Sequence, residues 1–258
     1  MSDRKQLVFT PVEGLPLIQA GDDLVSVILT MSDKCGISIK DGDIYVIAQK
    51  IVSKSENRLV NLNDIQAGWK AKRLARRVGK DPRLVELILR ESNEVIRAKD
   101  GKLIVEHKQG FICANAGIDH SNTRVDQGSE HFVLLLPKDS DASADRIRSG
   151  LEKTTGKRLG VLIIDSHGRA WRNGIVGTTI GISGFPALVD RRGQLDLFGF
   201  KLRITQVGAA DELAAGASLL MGQADEGVPV VHVSGFPYDF RESSLQELIR
   251  SKRKDLFR

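Results

Sequence analysis

Strand-like and helix-like segments follow one another along this chain without the regular β-α-β rhythm that a doubly wound parallel sheet requires. That ordering points to an α+β architecture of mixed and antiparallel sheets with flanking helices. The 258 residues, 41% of them hydrophobic, suffice for one large or two modest domains with a substantial core. No internal repeat, low-complexity tract or linker interrupts them, so residues 1–258 read as one unit, and any division into two lobes is intertwined rather than tandem.

The opening LVFTPVEGLPLI reads as a strand broken by Pro11 and Gly14. DDLVSVILTMSDKCG reads as a helix, with Asp22 or Asp23 as N-cap and Gly36 as its stop. DIYVIAQKIVSK is apolar and rich in β-branched residues, and is expected to be a buried strand ending in Lys50, Ser53 and Lys54. Two helices are expected over about 64–78 and 82–91, separated by Gly79 and the Asp81-Pro82 start signal. EVIRAKDGKLIVEH then reads as a hairpin turning at Lys99-Asp100-Gly101. SDASADRIRSGLEK, with caps ahead of Ile147 and Leu151, is a helix leading into the strand LGVLIID. Beyond it, ALVDRRGQLDLFGF suggests a second hairpin, and ELAAGASLLMG a helix whose small residues admit a close neighbour. VPVVHVSG reads as a strand and ESSLQELIRSKRK as a closing helix.

The formal charge is +5. Its densest basic stretch, WKAKRLARRVGK, sets Lys70, Arg73 and Arg77, with Lys72 and Arg76, at helical spacing around Leu74 and Val78. This is the solvated face of an amphipathic helix rather than a nucleic-acid surface, and the tail SKRKDLFR reads the same way. Cys35 and Cys113 lack metal-like spacing, which argues against a disulfide framework or a cysteine-built zinc site; both read as small buried apolar residues. No stretch nears the roughly 20 apolar residues needed to cross a bilayer, and MSDRKQLVF lacks the apolar core of a secretion signal. A soluble cytoplasmic protein without membrane or nucleic-acid partners is expected.

The run VLII delivers Asp165, Ser166 and His167 together into what reads as a glycine-rich bend. Consecutive residues do not make a Ser-His-Asp triad, whose members converge from separate elements. Two further acidic, glycine-flanked bends, NAGIDHSN at 115–122 and MGQADEGVP at 221–229, suggest another use. Hard divalent cations take carboxylate and amide oxygens and leave room for substrate phosphate. Asp119, Asp165 and one of Gln223, Asp225 and Glu226 would supply such oxygens from three elements, and the Ser166 hydroxyl would serve a second ion. Any one of these bends alone is ordinary turn chemistry. His107, His131 and His232 read as structural, and His167 as a contact to solvent or backbone. GIVGTTIGISG sets several glycines around Thr178 and Thr179, which would let backbone amides approach phosphate. Neither GxxxxGK[ST] nor a GxGxxG after the first strand occurs. Arg169 and Arg172 would bind a carboxylate or phosphate by forked hydrogen bonds, or form surface ion pairs. Lys54, leaving a buried strand, is a candidate for a nucleotide phosphate.

Six ordered stretches, GLPLI at 14–18, AQKIVSKSE at 48–56, ANAGIDHSN at 114–122, DSDASADRIR at 139–148, DSHGRAWRNG at 165–174 and MGQADEG at 221–227, closely resemble the coenzyme F420-0 gamma-glutamyl ligases. The similarity runs from Pro11 to about Gly235. It implies a homodimeric α+β enzyme that uses GTP to join L-glutamate to F420-0, a deazaflavin precursor ending in a phospholactate carboxylate. It also implies two divalent cations, Mg²⁺ or Mn²⁺, with stimulation by K⁺. By motif, Asp119, Asp165, Ser166 and Gln223 match metal-ligand positions. Leu15, Pro16, Leu17, Ile18, Gln49, Lys50, Lys54 and Asn122 match GTP-binding positions, as do Met221, Gly222, Gln223, Ala224, Asp225, Glu226, Gly227 and Val228. Asp119 and Asp165 are thereby expected to be catalytic, with Arg172 a weaker candidate for a substrate anion. The family often has threonine at Ser166, phenylalanine at His167 and proline at Ala170. Some relatives carry a C-terminal flavin-binding reductase domain, which is not expected here.

A carboxylate does not condense with an amine in neutral water, so the reaction implied needs activation. The phospholactyl carboxylate is expected to attack the γ-phosphate of GTP, giving an acyl phosphate that the glutamate amine opens. A metal-dependent nucleotide hydrolase or phosphatase is the alternative; it would release phosphate without F420-0 or glutamate.

Overall fold

The structure, a computed structural model, describes residues 6–121 and 131–256. Two apolar runs fix its centre. Ile44–Ala48 (β2) and Gly160–Arg169 (β8) pair in parallel from Ile44 opposite Gly160 to Ala48 opposite Ile164. Successive side chains of a strand point to opposite faces, so each run feeds two cores. Tyr45, Ile47, Val161 and Ile163 enter one buried cluster; Ile44, Val46, Leu162 and Ile164 enter the other. The five-stranded sheet is completed by Val8–Pro11 (β1), Val230–Ser234 (β12) and Arg172–Ser183 (β9), in the order β1-β12-β2-β8-β9. Every pairing in it other than β2 with β8 is antiparallel.

Helices α1 (Leu24–Lys34) and α5 (Ser140–Thr155) supply Leu24, Ile28, Ile147 and Leu151 to the first cluster. Helix α6 (Ala209–Met221) supplies Ala210, Leu213, Ala214 and Ala217 to the second. A further lobe sets α3 (Trp69–Val78) and α4 (Pro82–Arg90) beside an antiparallel sheet of β4 (Ser92–Lys99), β5 (Lys102–His107) and β6 (Ile112–Ala114). Its core residues, among them Ala75, Ile88 and Leu103, join the first cluster, so one apolar interior runs through both lobes. Leu59–Asn61 (β3) pairs with Phe132–Leu134 (β7) beside it. The arrangement is α+β, as the order of segments predicts.

Local signals behave as their chemistry dictates. Asp23, Asp81 and Asp139 cap α1, α4 and α5 with their carboxylates, and Pro82 opens α4. The β4–β5 turn places Asp100 and Gly101 at φ 47° and 72°, the left-handed pair that a two-residue hairpin turn requires. Among the described residues no helix is long and apolar enough to cross a membrane.

Other expectations are corrected. DIYVIAQKIVSK is not one strand: β2 stops at Ala48 and Gln49–Ser55 forms helix α2, a distinction that a short apolar run does not carry. IIDSHGR is not a bend, because β8 continues to Arg169 and pairs with β9 as far as Arg169 opposite Arg172. All of GIVGTTIGISG but its last glycine belongs to strand β9, and Gly177 and Gly181 admit helices rather than phosphate. A Cβ on Gly177 would lie 2.3 Å from the Ala214 carbonyl oxygen of α6, and one on Gly181 would lie 2.4 Å from that of Ser140 in α5. The helix expected from 64 begins at Trp69, with extended Gly68 as its cap. The second hairpin is a longer arm pairing Val189–Asp190 (β10) with Gln206–Val207 (β11); its tip is set farther along because the Asp196 carboxylate accepts from the backbone N–H groups of Phe198 and Phe200. The closing helix is absent. Leu245–Glu247 and Lys252–Lys254 are single 3₁₀ turns, since the apolar spacing lasts one turn and Asp141 captures the Leu245 N–H. Cys35 is exposed, whereas Cys113 is buried.

Candidate active site

Strand direction gathers the site. β2 and β8 run the same way, so Gln49 and Asp165 follow Ala48 and Ile164 at one end of the sheet. β1 is antiparallel to β12, which is antiparallel to β2, so β1 also leaves the sheet at that end, toward 15–18, and β12 enters there from 221–229. The carboxyl ends of parallel strands are where open sheets bind ligands. A cleft of about 730 Å³ lies there, lined by Leu15, Pro16, Leu17, Ile18, Gln49, Lys50, Lys54, Asp165, Ser166 and all eight residues from Met221 to Val228.

Asp119 is not itself part of the cleft lining, although His120 and Ser121 beside it are; its backbone exchanges hydrogen bonds with Leu134. Gln49 Nε2 donates to Asp119 Oδ2 at 2.9 Å, and Lys50 Nζ lies 3.5 Å from the same oxygen. Ser53 Oγ donates to Gln49 Oε1 at 2.9 Å, one helical turn away, and fixes which end of the amide faces Asp119. Lys50 also donates to Ser121 Oγ at 2.8 Å. On the opposite side, Ser166 Oγ donates to Gln223 Oε1 at 2.9 Å, joining β8 to the 221–229 loop.

Electrostatics ties the two carboxylates together. Burial, reinforced by the negative charge of Asp165, pushes the Asp119 carboxyl up to about 6 against the opposing pull of Lys50 and Gln49. Lys54 is held below the usual lysine range by burial and by the neighbouring charge of Lys50. Asp165, Ser166 and Gln223 line the cleft and Asp119 stands beside it; carboxylate, hydroxyl and amide oxygens are the donor types a hard cation takes, and a cation near Asp119 would offset the negative charge that raises it. Among the described residues no three His, Cys, Asp or Glu side chains form a metal-binding group, so such a site would depend on the hydroxyl and amide oxygens and on bound substrate.

The loop after α6 is shaped by Gly222, at φ 69° and ψ −170°, where a Cβ would lie 1.9 Å from the carboxyl carbon of Glu226. Glu226 accepts from the Ala224 N–H at 2.8 Å and is held below the usual carboxylate range mainly by that bond. It therefore supports the loop that lines the cleft.

Arg172 stands apart. It pairs across the hairpin with Arg169, four residues beyond Asp165 and about 13 Å along the strand, outside the cleft lining. Asn122 lies outside the described residues. Thr178 sits opposite Asp165 across the ladder and Thr179 is buried. His167 contacts a side chain rather than solvent or backbone alone: its Nε2 lies 3.0 Å from Asp165 Oδ2, and its ring packs near Phe111, which stacks on buried His107. His232 is buried against Asp43 at 2.9 Å. Sequence reasoning missed Ser121, His120 and Ser218 as cleft residues. It also missed the Gln49–Ser53 pair, whose four-residue spacing is a signal only once that segment is known to be a helix.

The family model described as F420-0:Gamma-glutamyl ligase matches residues 14–235. A protein of Methanothermobacter thermautotrophicus named "Coenzyme F420:L-glutamate ligase" is 46% identical over 249 residues, covering 96% of this chain and 97% of its own length. Proteins of the same name from Methanococcus maripaludis (47% identical, covering 85% and 86%) and Archaeoglobus fulgidus (43%, covering 96% and 95%) are similarly close. With both the cleft and this likeness spanning nearly the whole chain, the protein belongs to the F420-0:gamma-glutamyl ligase family.

Proposed function

We propose that this protein is a GTP-dependent ligase that joins L-glutamate to coenzyme F420-0 in the cytoplasm. The observation that carries the reading is the convergence, at one end of the sheet, of polar segments distant in sequence around one cleft, with Asp119 held beside it by Gln49 and Lys50. Family membership and the relatives' shared name support the choice of substrates.

In this reading the 15–18 and 221–228 segments hold the nucleotide, and Lys50 and Lys54 face its phosphates. A polyphosphate beside Lys54 offsets the burial that disfavours its charge. Asp119, Asp165, Ser166 and Gln223 would hold two divalent cations, Mg²⁺ or Mn²⁺, with K⁺ as an activator, and the divalent ions would supply charge neutralisation at the phosphates. An oxygen of the phospholactyl carboxylate bonds to the γ-phosphorus as the bond to the β-phosphate oxygen breaks, and GDP leaves. The glutamate nitrogen then bonds to the acyl carbon, the carbon–oxygen bond to phosphate breaks, and the amine loses a proton. Gln49, pinned by Ser53, keeps Asp119 oriented throughout, and no protein nucleophile takes part. Arg172 would reach the substrate anion only by folding back along its strand.

We assign dimerisation to the 189–207 arm, where Leu197, Phe198 and Ile204 are 98%, 95% and 88% exposed. Side chains this apolar on a two-stranded arm need a cover, and a second copy supplies one through two-fold symmetry.

The deciding experiment is mass spectrometry of F420-0 incubated with protein, GTP, Mg²⁺ and glutamate. One added glutamyl unit, accompanied by GDP and phosphate only when all substrates are present, supports the ligase. Phosphate release that ignores omission of F420-0 or glutamate establishes a hydrolase instead.

A further inference from the structure

A second cavity, of about 510 Å³, is bordered by α3 and β4 and shares no lining residue with the active-site cleft. β4 is the end strand of its sheet, so along that edge its backbone N–H and C=O groups have no strand partner among the described residues. Its lining combines the apolar Leu74, Val95, Ile96 and Ala98 with the basic Arg77 on α3 and Arg97 and Lys99 on β4; Val95 and Ala98 lie on the face of β4 paired with Val105 and Leu103, and Arg97 and Lys99 on the other. All three cations are exposed. Among the described residues Arg77 and Arg97 have no carboxylate partner, and Lys99 has only the equally exposed Asp100, at 3.6 Å. Uncompensated positive charge around an unused strand edge suits a chain carrying both amides and anions.

The spacing narrows the chemistry. Arg97 and Lys99 are two residues apart and so share a face of β4, about 6.8 Å from one another, the interval at which an edge strand also repeats its outward N–H and C=O groups. A γ-linked glutamyl chain repeats one amide and one α-carboxylate every five bonds, about 6 Å when extended. A nucleic-acid strand has comparable charge but no backbone amide to meet the strand edge.

We propose that this groove is a binding site for an oligo-γ-glutamyl chain, whose amides pair with the free edge of β4 and whose carboxylates meet Arg77, Arg97 and Lys99. Resting on the ligase reading, it would hold glutamyl units already attached while the growing carboxylate stands in the cleft. The chain has two potential sources, a tailed coenzyme or a free γ-glutamyl peptide.

Binding of fluorescently labelled γ-linked di-, tri- and tetraglutamate to the full chain, read by anisotropy without metal or nucleotide, tests the site. Affinity is expected to rise with each added unit, to fall at least tenfold in Arg77→Glu/Arg97→Glu, and to persist in Arg97→Lys. Unchanged melting temperature in the charge-reversed variant, or a parallel loss in the milder Arg97→Ala, separates lost contacts from misfolding. Absent tetraglutamate binding, binding insensitive to the double substitution, or tighter binding of an oligothymidylate or of α-linked tetraglutamate overturns the proposal. Competition by tailed coenzyme stronger than by free tetraglutamate identifies the coenzyme as the source, and the reverse identifies the peptide. If the wild type binds tetraglutamate yet performs no ligation, the ligase reading fails and the groove stands. If it extends untailed F420-0 equally well in wild type and double variant while tetraglutamate binding is absent, the groove fails alone.

Discussion

Asp119 is expected to weaken the metal-free fold that it serves, and Asp119→Asn exposes the conflict. Burial and Asp165 raise its carboxyl from 3.8 to about 6. A group whose folded-state value is raised ionises more readily in the unfolded chain, so the penalty begins near pH 4, is complete above pH 6 and is absent below pH 4. A shift of about two units corresponds to about 3 kcal/mol at neutral pH. The side chain is 28% exposed, so water screens part of this, and Lys50 loses its 3.5 Å ion pair in the variant while keeping Ser121. The net gain for Asn is therefore set at about 1–2 kcal/mol, or about 2–8 °C in melting temperature for a chain of this size. Thermal melts in chelator at pH 7.5 and pH 4 measure it: the variant should melt higher at 7.5 and level with wild type at 4. Adding Mn²⁺ should reverse the order, since binding to the native state stabilises wild type in proportion to ln(1 + [Mn²⁺]/Kd) and the variant lacks a ligand charge. A variant less stable than wild type at pH 7.5, or one stabilised equally by Mn²⁺, refutes this account of the carboxylate pair.

Other perturbations separate framework from chemistry. Gly181→Ala should lower stability by about 1–3 kcal/mol, read by denaturant titration, because its Cβ meets the backbone of Ser140 rather than a flexible side chain. Gly222→Ala should weaken GTP binding in calorimetry with little change in melting temperature, since it displaces Glu226 and the loop that the carboxylate supports. Asp165→Asn should cut glutamate ligation by orders of magnitude while the far-ultraviolet spectrum stays unchanged. Leu197→Asp combined with Phe198→Asp should convert a dimer to a monomer in sedimentation, and a dimer that persists removes the arm from the interface.

Much of the fold was legible because its signals are local. The carboxylate caps of α1, α4 and α5 and the Asp100-Gly101 turn each declare themselves within four residues. Where sequence reasoning failed, the deciding partner lay far along the chain. Asp165 and His167 look like bend residues until β9 is known to pair with them, and Gly177 and Gly181 look like phosphate contacts until α6 and α5 are seen against them. Gln49–Ser55 failed for a different reason, because buried helix and buried strand have the same composition over so short a run. Most of the cleft's polar residues stand out in the sequence as polar or glycine-flanked exceptions to apolar runs, and such exceptions remain visible even when the element carrying them is misjudged; the apolar Leu15–Ile18 carry no such signal.

What no local signal supplied is why segments at 15–18, 49–54, 120–121, 165–166 and 221–228 should meet. The answer lies in strand direction. Had β8 run antiparallel to β2, Asp165 would leave the sheet at the end opposite Gln49, and the contacts binding α2 to Asp119 would face no second carboxylate. The parallel pairing of these two strands is therefore the fold's decisive commitment to chemistry. The antiparallel neighbours then deliver the 15–18 and 221–229 segments to the same end without any long crossover of their own. Two cores, one on each face, hold that pair in place, which is why its apolar residues run unbroken up to the first polar atoms of the cleft.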